Sequence, residues 1–528
     1  MEKRTIVALV LTILILFFFQ MYTAKQQPQQ QTQGKDQGQA QPQKTAEGKE
    51  TAKPQKEVAT KKVDTVENIP SKDVVVETPL LKVTFTDLGG GIKSVKLKKY
   101  KDSVKDSKDK EMIEDVKPYI YLPKIFKVVN NETIDDRTYF KPDRQNLTLQ
   151  DKPETITFSG TLSNGNKVRK AYTLYPDKYA IDMKIDVYAR DNEKTLLDFA
   201  VIHGKNSSSY TFKGPFTYNG KKFEQIEKIE KNIEVDKNFK YAGLDDGFFA
   251  FIWIPNDDSR FPLTVLKTEN NTPVLRLTLD KGEFSGKLYF GPKKSDTLKG
   301  LDVNAEKIVD FGWFDIIAKP LIAGLNLSNK VTHNYGIDII LLTILIKIIF
   351  YPLSVKSYKS MKEMQKMQPQ ILKLKEKNKN DKQKLNQEMM ELYKKKGINP
   401  MGGCLPMVIQ IPVFFALYKA LSGAIELRHA PFIWWMNDLS APEDLFSFSV
   451  AGFLVPIRIL PLVMGITQVI QQKMTPTSAD PIQEKMMLFM PIFFTFLFWS
   501  FPAGLVLYWL VNNVISIAQQ YYINKKVS

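Results

Sequence analysis

One cysteine and three histidines are all that the chain holds in 528 residues. The lone thiol, Cys404, excludes an intrachain disulfide framework and any multi-thiolate metal site. His203, His333 and His429 are far apart in sequence and show no metal-ligand spacing. A nucleotide loop is missing too: "GGGIKS" at 89–94 lacks the G-x-x-x-x-G-K-[ST] spacing. It lies between the strand-like "LKVTFTD" and "SVKLKKY", which makes it a glycine-rich hairpin turn. No acid pair or nucleophile–base constellation stands out. No cofactor is expected, and the chain does not read as an enzyme.

Acidic residues number 57 against 74 lysines and arginines, a formal charge of +17. Such an excess suits nucleic acid, a ribosome or an anionic membrane face, and only its placement decides between them. Residues 1–24 carry Lys3 and Arg4 ahead of an apolar run from Ile6 to Phe19. A cleaved signal peptide and a retained anchor share this pattern. The "YTAKQQ" that follows is a poor small-residue cleavage site and favours an anchor with a cytoplasmic N-terminus. Residues 25–70 are rich in Gln, Pro, Lys, Thr and Glu. They bury too little apolar surface to offset ordering entropy and read as a disordered linker.

Residues 71–310 alternate short period-2 segments, "TITFSGTL" and "FAFIWIP" among them, with polar turns such as "SNGN" and "PNDD". That is the pattern of an antiparallel β-sandwich. Residues 311–334 are amphipathic and broken by Pro320. They form either an interfacial helix on a membrane or the last packing element of the β-domain.

From Tyr335 onward apolar runs dominate, and 335–528 reads as a helical membrane core. Five transmembrane helices can be drawn, at 335–355, 402–423, 451–472, 486–502 and 503–522. With the N-terminal anchor, they leave 356–400, 473–485 and the tail "NKKVS" in the cytoplasm. Residues 356–400 hold thirteen lysines against five acids, whereas the short outer loops are nearly free of Lys, Arg428 being the exception. This distribution obeys the positive-inside rule, with both termini cytoplasmic and the β-domain on the far side. Residues 356–400 read as two polar helices joined at "NKND", with Asn380 and Gln383 forming a capping box. The hairpin either rests in solvent near anionic phospholipid headgroups or docks a ribosome or an incoming polypeptide. Nothing suggests sequence-specific nucleic-acid recognition.

Within the run "LTILIKIIFYPL" (342–353) sits Lys347. A charged ammonium at membrane depth costs at least ~2.5–3.5 kcal/mol on insertion scales. On one continuous helix Thr343, Lys347, Tyr351 and Ser354 share a face. Lys347 then either snorkels to the cytoplasmic headgroups or lines a polar cavity. Other runs carry polar residues as well. The second has Gln410 near Phe414, and the third has Thr467, Gln468 and Gln471. The last has Asn512, Asn513 and Ser516 after Trp509. Polar faces on several helices favour an internal hydrophilic cavity.

Five stretches carry a resemblance to a known family. They are "YPLSVKSYKSMKEMQKMQPQI" (351–371), "NPMGGCLPMVIQIPVFFALYKAL" (399–421), "ELRHAPF" (426–432), "DPIQEKMMLFMP" (480–491) and "FPAGLVLYWLVNN" (501–513). In this order they resemble the YidC-type membrane protein insertases of the Oxa superfamily. The anchor, Gln-rich linker and large β-domain resemble the Gram-negative form. The resemblance implies a multi-domain, multi-pass protein of the bacterial inner membrane, with a five-helix core and a periplasmic β-supersandwich. It implies a positively charged groove, open to the cytoplasm and to lipid, that receives hydrophilic ends of newly made membrane proteins. The implied partners are nascent membrane proteins, a ribosome, the Sec translocon and anionic phospholipids.

The resemblance places the groove cation at Lys347, where the family usually carries Arg, and groove positions at Gln410 and Phe414. Trp509 replaces a family aromatic that is commonly Tyr. With Thr343, Asn512, Asn513 and Ser516, these residues make the candidate substrate groove. Lys keeps the charge but lacks the planar fork that grips a carboxylate through two hydrogen bonds. The rival reading is a small-molecule transporter or channel. Transporters often show internal repeats with paired broken helices, and the chain shows no such symmetry.

Overall fold

The computed structural model describes residues 71–526, apart from 105–106, 114–118, 130–131, 136, 189–194, 201–210, 236–237, 257–261, 268–272, 280–281, 380, 398–404, 451–452 and 475–480. The anchor expected at 1–24 and the linker expected at 25–70 lie outside the described residues.

Among the described residues, the period-2 segments between Asp73 and Pro292 form three sheets. The nine strands of the largest run, in spatial order, Phe223–Gln225, Gly214–Tyr218, Tyr241–Asp245, Phe249–Pro255, Gly282–Pro292, Ala180–Tyr188, Lys167–Leu174, Glu154–Thr161 and Lys141–Pro142. Every neighbouring pair is antiparallel. Alternation holds the register: in Ala180–Tyr188 the side chains of Ile181, Met183 and Ile185 are buried while Lys184 is exposed. A slip of one residue would turn that apolar set to solvent.

A six-stranded sheet has the order Ile233–Val235, Leu263–Leu266, Val274–Leu279, Thr195–Ala200, Lys124–Val129 and Glu132–Asp135. A five-stranded one has Asp109–Glu111, Gly91–Lys101, Leu81–Thr86, Asp73–Glu77 and Leu147–Thr148. Aromatic rings join the three into one core. Phe199 of the six-stranded sheet stacks on Phe251 and Trp253 at 5.7 and 5.8 Å. Phe85 of the five-stranded sheet lies 5.6 Å from Phe158 and 5.0 Å from Tyr172.

"GGGIKS" opens at the turn between Leu81–Thr86 and Gly91–Lys101. Gly89 and Gly90 take φ of 70° and 56°, a conformation that costs glycine little, and a Cβ on Gly89 would overlap the Tyr121 ring. Lys170, fully buried, pins this turn by donating to the carbonyls of Gly89 (2.7 Å) and Pro123 (3.2 Å).

The helical part begins with a 3₁₀ turn at Gly312–Phe314 and α1 at Asp315–Thr332. Contrary to the break expected at Pro320, α1 runs through it. The proline sits in the second turn and removes one hydrogen bond, to the carbonyl of Ile316. Burial of Ala318 and Leu325 on either side holds the rest of the helix in place.

The next helix, α2 (Tyr335–Ile349), starts at Asn334, whose Oδ1 accepts from the backbone N–H groups of Gly336 and Ile337. It meets α3 (Tyr351–Lys377) at a 65° bend. The single helix expected over 335–355 is therefore two. Pro352 has no N–H, and its ring clashes with the carbonyl of Ile348 in a continuous helix. The first helix of the basic segment accordingly starts at Tyr351 rather than at 356. Tyr351 and Ser354 do not continue the face of Thr343 and Lys347.

Residues 366–399 cluster as a unit of their own. There α4 (Lys382–Lys395) is capped by Asp381, one residue past the expected Asn380. Its Oδ1 accepts from Gln383 N (3.0 Å) and Lys384 N (2.9 Å). Asn378 Nδ2 donates to Glu388 (2.9 Å), linking the end of α3 to α4.

After α5 (Leu405–Gly423), the strands Phe446–Val450 and Phe453–Ile457 pair as an antiparallel hairpin. Only then does α6 (Ile459–Met474) begin, so the start of the helix expected over 451–472 is strand. Strands this short cannot be told from buried helix by periodicity, and aromatic and β-branched residues around Ala451–Gly452 suit a hairpin. The last helices are α7 (Pro481–Phe498) and α8 (Ala503–Lys526). Among the described residues no single helix is long and apolar enough to cross a membrane. The bent pair α2–α3 passes that test together.

The loop after α5 docks the helical part onto the sheets. Ile425 joins the β-core cluster. Arg428 donates from Nη2 to the carbonyl of Asp102 (2.8 Å), and its guanidinium lies 5.1 Å from the Phe249 ring.

Candidate substrate groove

The site is organised by α8, which packs against α2, α5 and α6. Its sequence places Tyr508, Asn512 and Ser516 at intervals of four, so they share one face, and Gln519 extends it by another turn. Lys347, near the C-terminal end of α2, donates from Nζ to Ser516 Oγ at 2.7 Å. Ser516 Oγ in turn donates to the carbonyl of Asn512 (2.7 Å). An ammonium has three N–H donors. Among the described residues Ser516 is the one hydrogen-bond partner of Lys347, so one of its three donors is engaged.

On the neighbouring side, Asn513 Nδ2 donates to Thr467 Oγ1 (3.3 Å) and Gln520 Nε2 to the carbonyl of Met474 (2.8 Å), which ties α8 to α6. Lys347, Asn512, Asn513 and Ser516 thus belong to one polar seam. Thr343 contributes less than its position implies. Its side chain is buried, and its hydroxyl donates to Ile339 O (2.6 Å), one turn back on its own helix.

Gln410 and Phe414, both on α5, occupy a second region. Gln410 Nε2 donates to the hydroxyl of Tyr508. The Phe414 ring meets Trp509 edge-on at 5.0 Å, and Phe498 approaches both, at 5.8 and 5.1 Å. Phe414 and Trp509 are therefore partners in an aromatic cluster. Tyr508 is the residue that sequence reasoning misses, although its place four before Asn512 puts it on the polar face of α8.

Polarity inside and outside this bundle is the reverse of a water-soluble domain. Ile344, Leu345, Ile348 and Ile349 on α2, Ile466 and Ile470 on α6, and Phe489, Ile492 and Phe496 on α7 are all exposed. A surface so continuously apolar marks contact with another apolar phase. At the end of the bundle where α6 and α8 begin, Glu443 is buried and accepts from Leu460 N (2.7 Å) and from Trp435 Nε1. Arg458 donates to the carbonyls of Glu443 (2.9 Å) and Trp499, which fixes the strand hairpin to the end of α7. Among the described residues no group of three or more His, Cys, Asp or Glu is placed to hold a metal ion.

Two family profiles cover most of the chain. The YidC periplasmic domain matches residues 73–323, and the 60Kd inner membrane protein matches residues 327–528. The membrane protein insertase YidC of Syntrophus aciditrophicus is 39% identical over 555 residues, spanning 100% of both chains. That of Geobacter sulfurreducens is 38% identical over 568 residues, spanning 100% of this chain and 99% of the relative. A solved structure of an active YidC insertase, with its first transmembrane domain resolved, aligns with a TM-score of 0.40 at 19% identity. The alignment covers 88% of this chain and 95% of that one. With relatives this similar along the whole length, the chain belongs to the YidC family of membrane protein insertases.

Proposed function

We infer that the protein promotes the insertion of newly made proteins into the bacterial inner membrane, as a non-enzymatic catalyst. The observation that carries this reading is Lys347, held by Ser516 in a polar seam while the helices around it turn apolar side chains outward. In bare lipid each unsatisfied polar group of a hydrophilic segment costs several kcal/mol. A seam of amides and hydroxyls with one cation lowers that cost part-way across. Lys347 attracts acidic residues of the client, and a point charge suffices for attraction where bidentate capture is not required. The apolar exterior offers the new helix a path into lipid, and hydrophobic partitioning supplies the free energy.

In this reading α2 with the start of α3, α5, α6, α7 and α8 form the five-helix membrane core, and the sheets form a periplasmic β-supersandwich. Both termini are cytoplasmic. The basic hairpin of α3 and α4 receives a ribosome or the incoming chain near anionic phospholipids. The Sec translocon is a partner for a subset of clients.

The test is reconstitution into liposomes with a single-span substrate bearing an acidic translocated tail. The purified protein is expected to promote insertion, and failure to do so would refute the reading. Lys347→Ala is expected to lower insertion of acidic-tailed substrates and Lys347→Arg to keep it. An Ala variant with full activity on every such substrate removes the attractor role alone. Solute flux through the same liposomes would instead favour a transporter or channel.

A further inference from the structure

We propose that the polar side of α8, together with the part of α6 that packs on it, binds the main chain of an incoming polypeptide by accepting hydrogen bonds from its backbone N–H groups. This deepens the insertase reading and rests on it. Four side-chain carbonyl oxygens on these two helices are buried without a partner among the described residues: Gln468 Oε1, Asn512 Oδ1, Gln519 Oε1 and Gln520 Oε1. The one buried donor in the same state on these helices is Trp509 Nε1. Asn512 and Gln520 are only 8% and 3% exposed. Gln520 spends its amide nitrogen on the carbonyl of Met474, and Asn513 spends its own on Thr467. At Gln520 the nitrogen holds the two helices together and the oxygen is left over.

The acceptors also have the right spacing. Asn512 and Gln520 stand eight residues apart, ~12 Å along the axis of α8. An extended chain covers that distance in about four residues. Lys347 limits the kind of donor. Its ammonium beside Ser516 repels lysine and arginine side chains, so the donors that fit are uncharged. Backbone amides are the uncharged donors that every client supplies, whatever its sequence. They are also the costlier half of the peptide group to leave unpaired, because buried N–H groups without a partner are rarer than buried carbonyls. Lys347 and this seam thus divide the work. The cation selects an acidic tail, and the acceptors hold the chain behind it.

The experiment alters the client, so misfolding of the protein cannot account for a loss. A synthetic single-span substrate with an acidic tail is made in two forms, unmodified and with three tail amides N-methylated. Insertion into liposomes containing the purified protein is read by protease protection. N-methylation makes the tail more apolar, which by itself favours entry. The proposal requires the opposite sign, a loss of about tenfold, as for one or two net hydrogen bonds. In liposomes carrying the double variant Asn512→Leu/Gln520→Leu, the unmodified tail is expected to fall to the level of the methylated one, with no further loss on methylation. Equal or better insertion of the methylated substrate by the unaltered protein overturns the proposal. If the unmodified substrate is itself not inserted, the insertase reading has failed rather than the acceptor seam.

Discussion

Removing Lys170 tests how a buried ammonium shapes the stability of the β-region. Lys170 is fully buried, faces two carbonyls, and has burial as the cause that pushes its pKa from the usual 10.5 down to about 7. The unfolded chain keeps this proton up to about 10.5, while the folded protein releases it from about 7. Between those values the unfolded state binds more protons, so stability rises with pH. Below pH 7 the full cost of burying the charge is present. The whole window corresponds to about 5 kcal/mol, and the part between pH 7.5 and 9.5 to about 2–3 kcal/mol.

Other groups act in definable directions. Burial also lowers Lys124, against the pull of Asp135, and adds to the same trend. Tyr172 is raised by burial and takes stability away only as the pH passes 10. Lys170→Met removes the proton and leaves the Gly89 and Pro123 carbonyls without their donor, a loss of about 1–3 kcal/mol that does not vary with pH. The assay is urea unfolding of the full chain in detergent, from pH 6.5 to 9.5, followed by protease protection of the β-region. The wild-type midpoint is expected to climb steeply with pH and the variant's to climb much less. Parallel curves for the two proteins would refute the reasoning.

Substitutions at three further places probe the scaffold. A side chain on Gly465 would overlap Thr495 Oγ1, so Gly465→Val should push α6 from α7 at a cost of about 1–3 kcal/mol, and Thr495→Ala in the same chain should restore part of it. Thermal unfolding in detergent reads both. Arg276 grips the buried Asp198 through two 2.7 Å hydrogen bonds, and Arg276→Met, which strips that carboxylate of its guanidinium and leaves it the 3.3 Å hydrogen bond from Tyr119, should cost about 3–5 kcal/mol. Adding Asp198→Leu should recover most of the loss, and urea midpoints of the three proteins check it. Glu443→Ala deprives Leu460 N and Trp435 Nε1 of their acceptor and should lower the melting temperature by the equivalent of about 1–3 kcal/mol, whereas Glu443→Gln, which keeps one carbonyl oxygen, should lose less.

What sequence alone conveyed depended on how local each signal was. Alternation such as that of Ala180–Tyr188 lies within one strand, so the β character of the region was readable. The order of strands was not, because Gly282–Pro292 pairs with both Ala180–Tyr188 and Phe249–Pro255 across long intervals. Lys347 was visible as a charge in an apolar run, yet its partner Ser516 lies 169 residues away. The bend at Phe350 has a local cause in Pro352, which is visible in the sequence and divides 335–355 into two helices. The strand at Phe453–Ile457 falls inside the run that reads as a helix from 451, because apolar runs of five residues carry no usable period. Tyr508 stands beside the more conspicuous Trp509; its place four before Asn512 is the signal in the sequence, and the hydrogen bond from Gln410 confirms it.

Ile425 gives the docking of the two parts a dimension in time. It completes the β-core, yet it is made 133 residues after Pro292, where the last strand of that core ends. At ~5–20 residues per second, the interval is about 7–27 s. Throughout it the newly formed sheets present an unfilled apolar site and a Phe249 ring not yet covered by Arg428. The β-region is therefore born incomplete, and its maturation reports that α5 and the loop after it have reached their place. Any truncation between Pro292 and Ile425 should leave it in that juvenile state, folded in outline and open at one face.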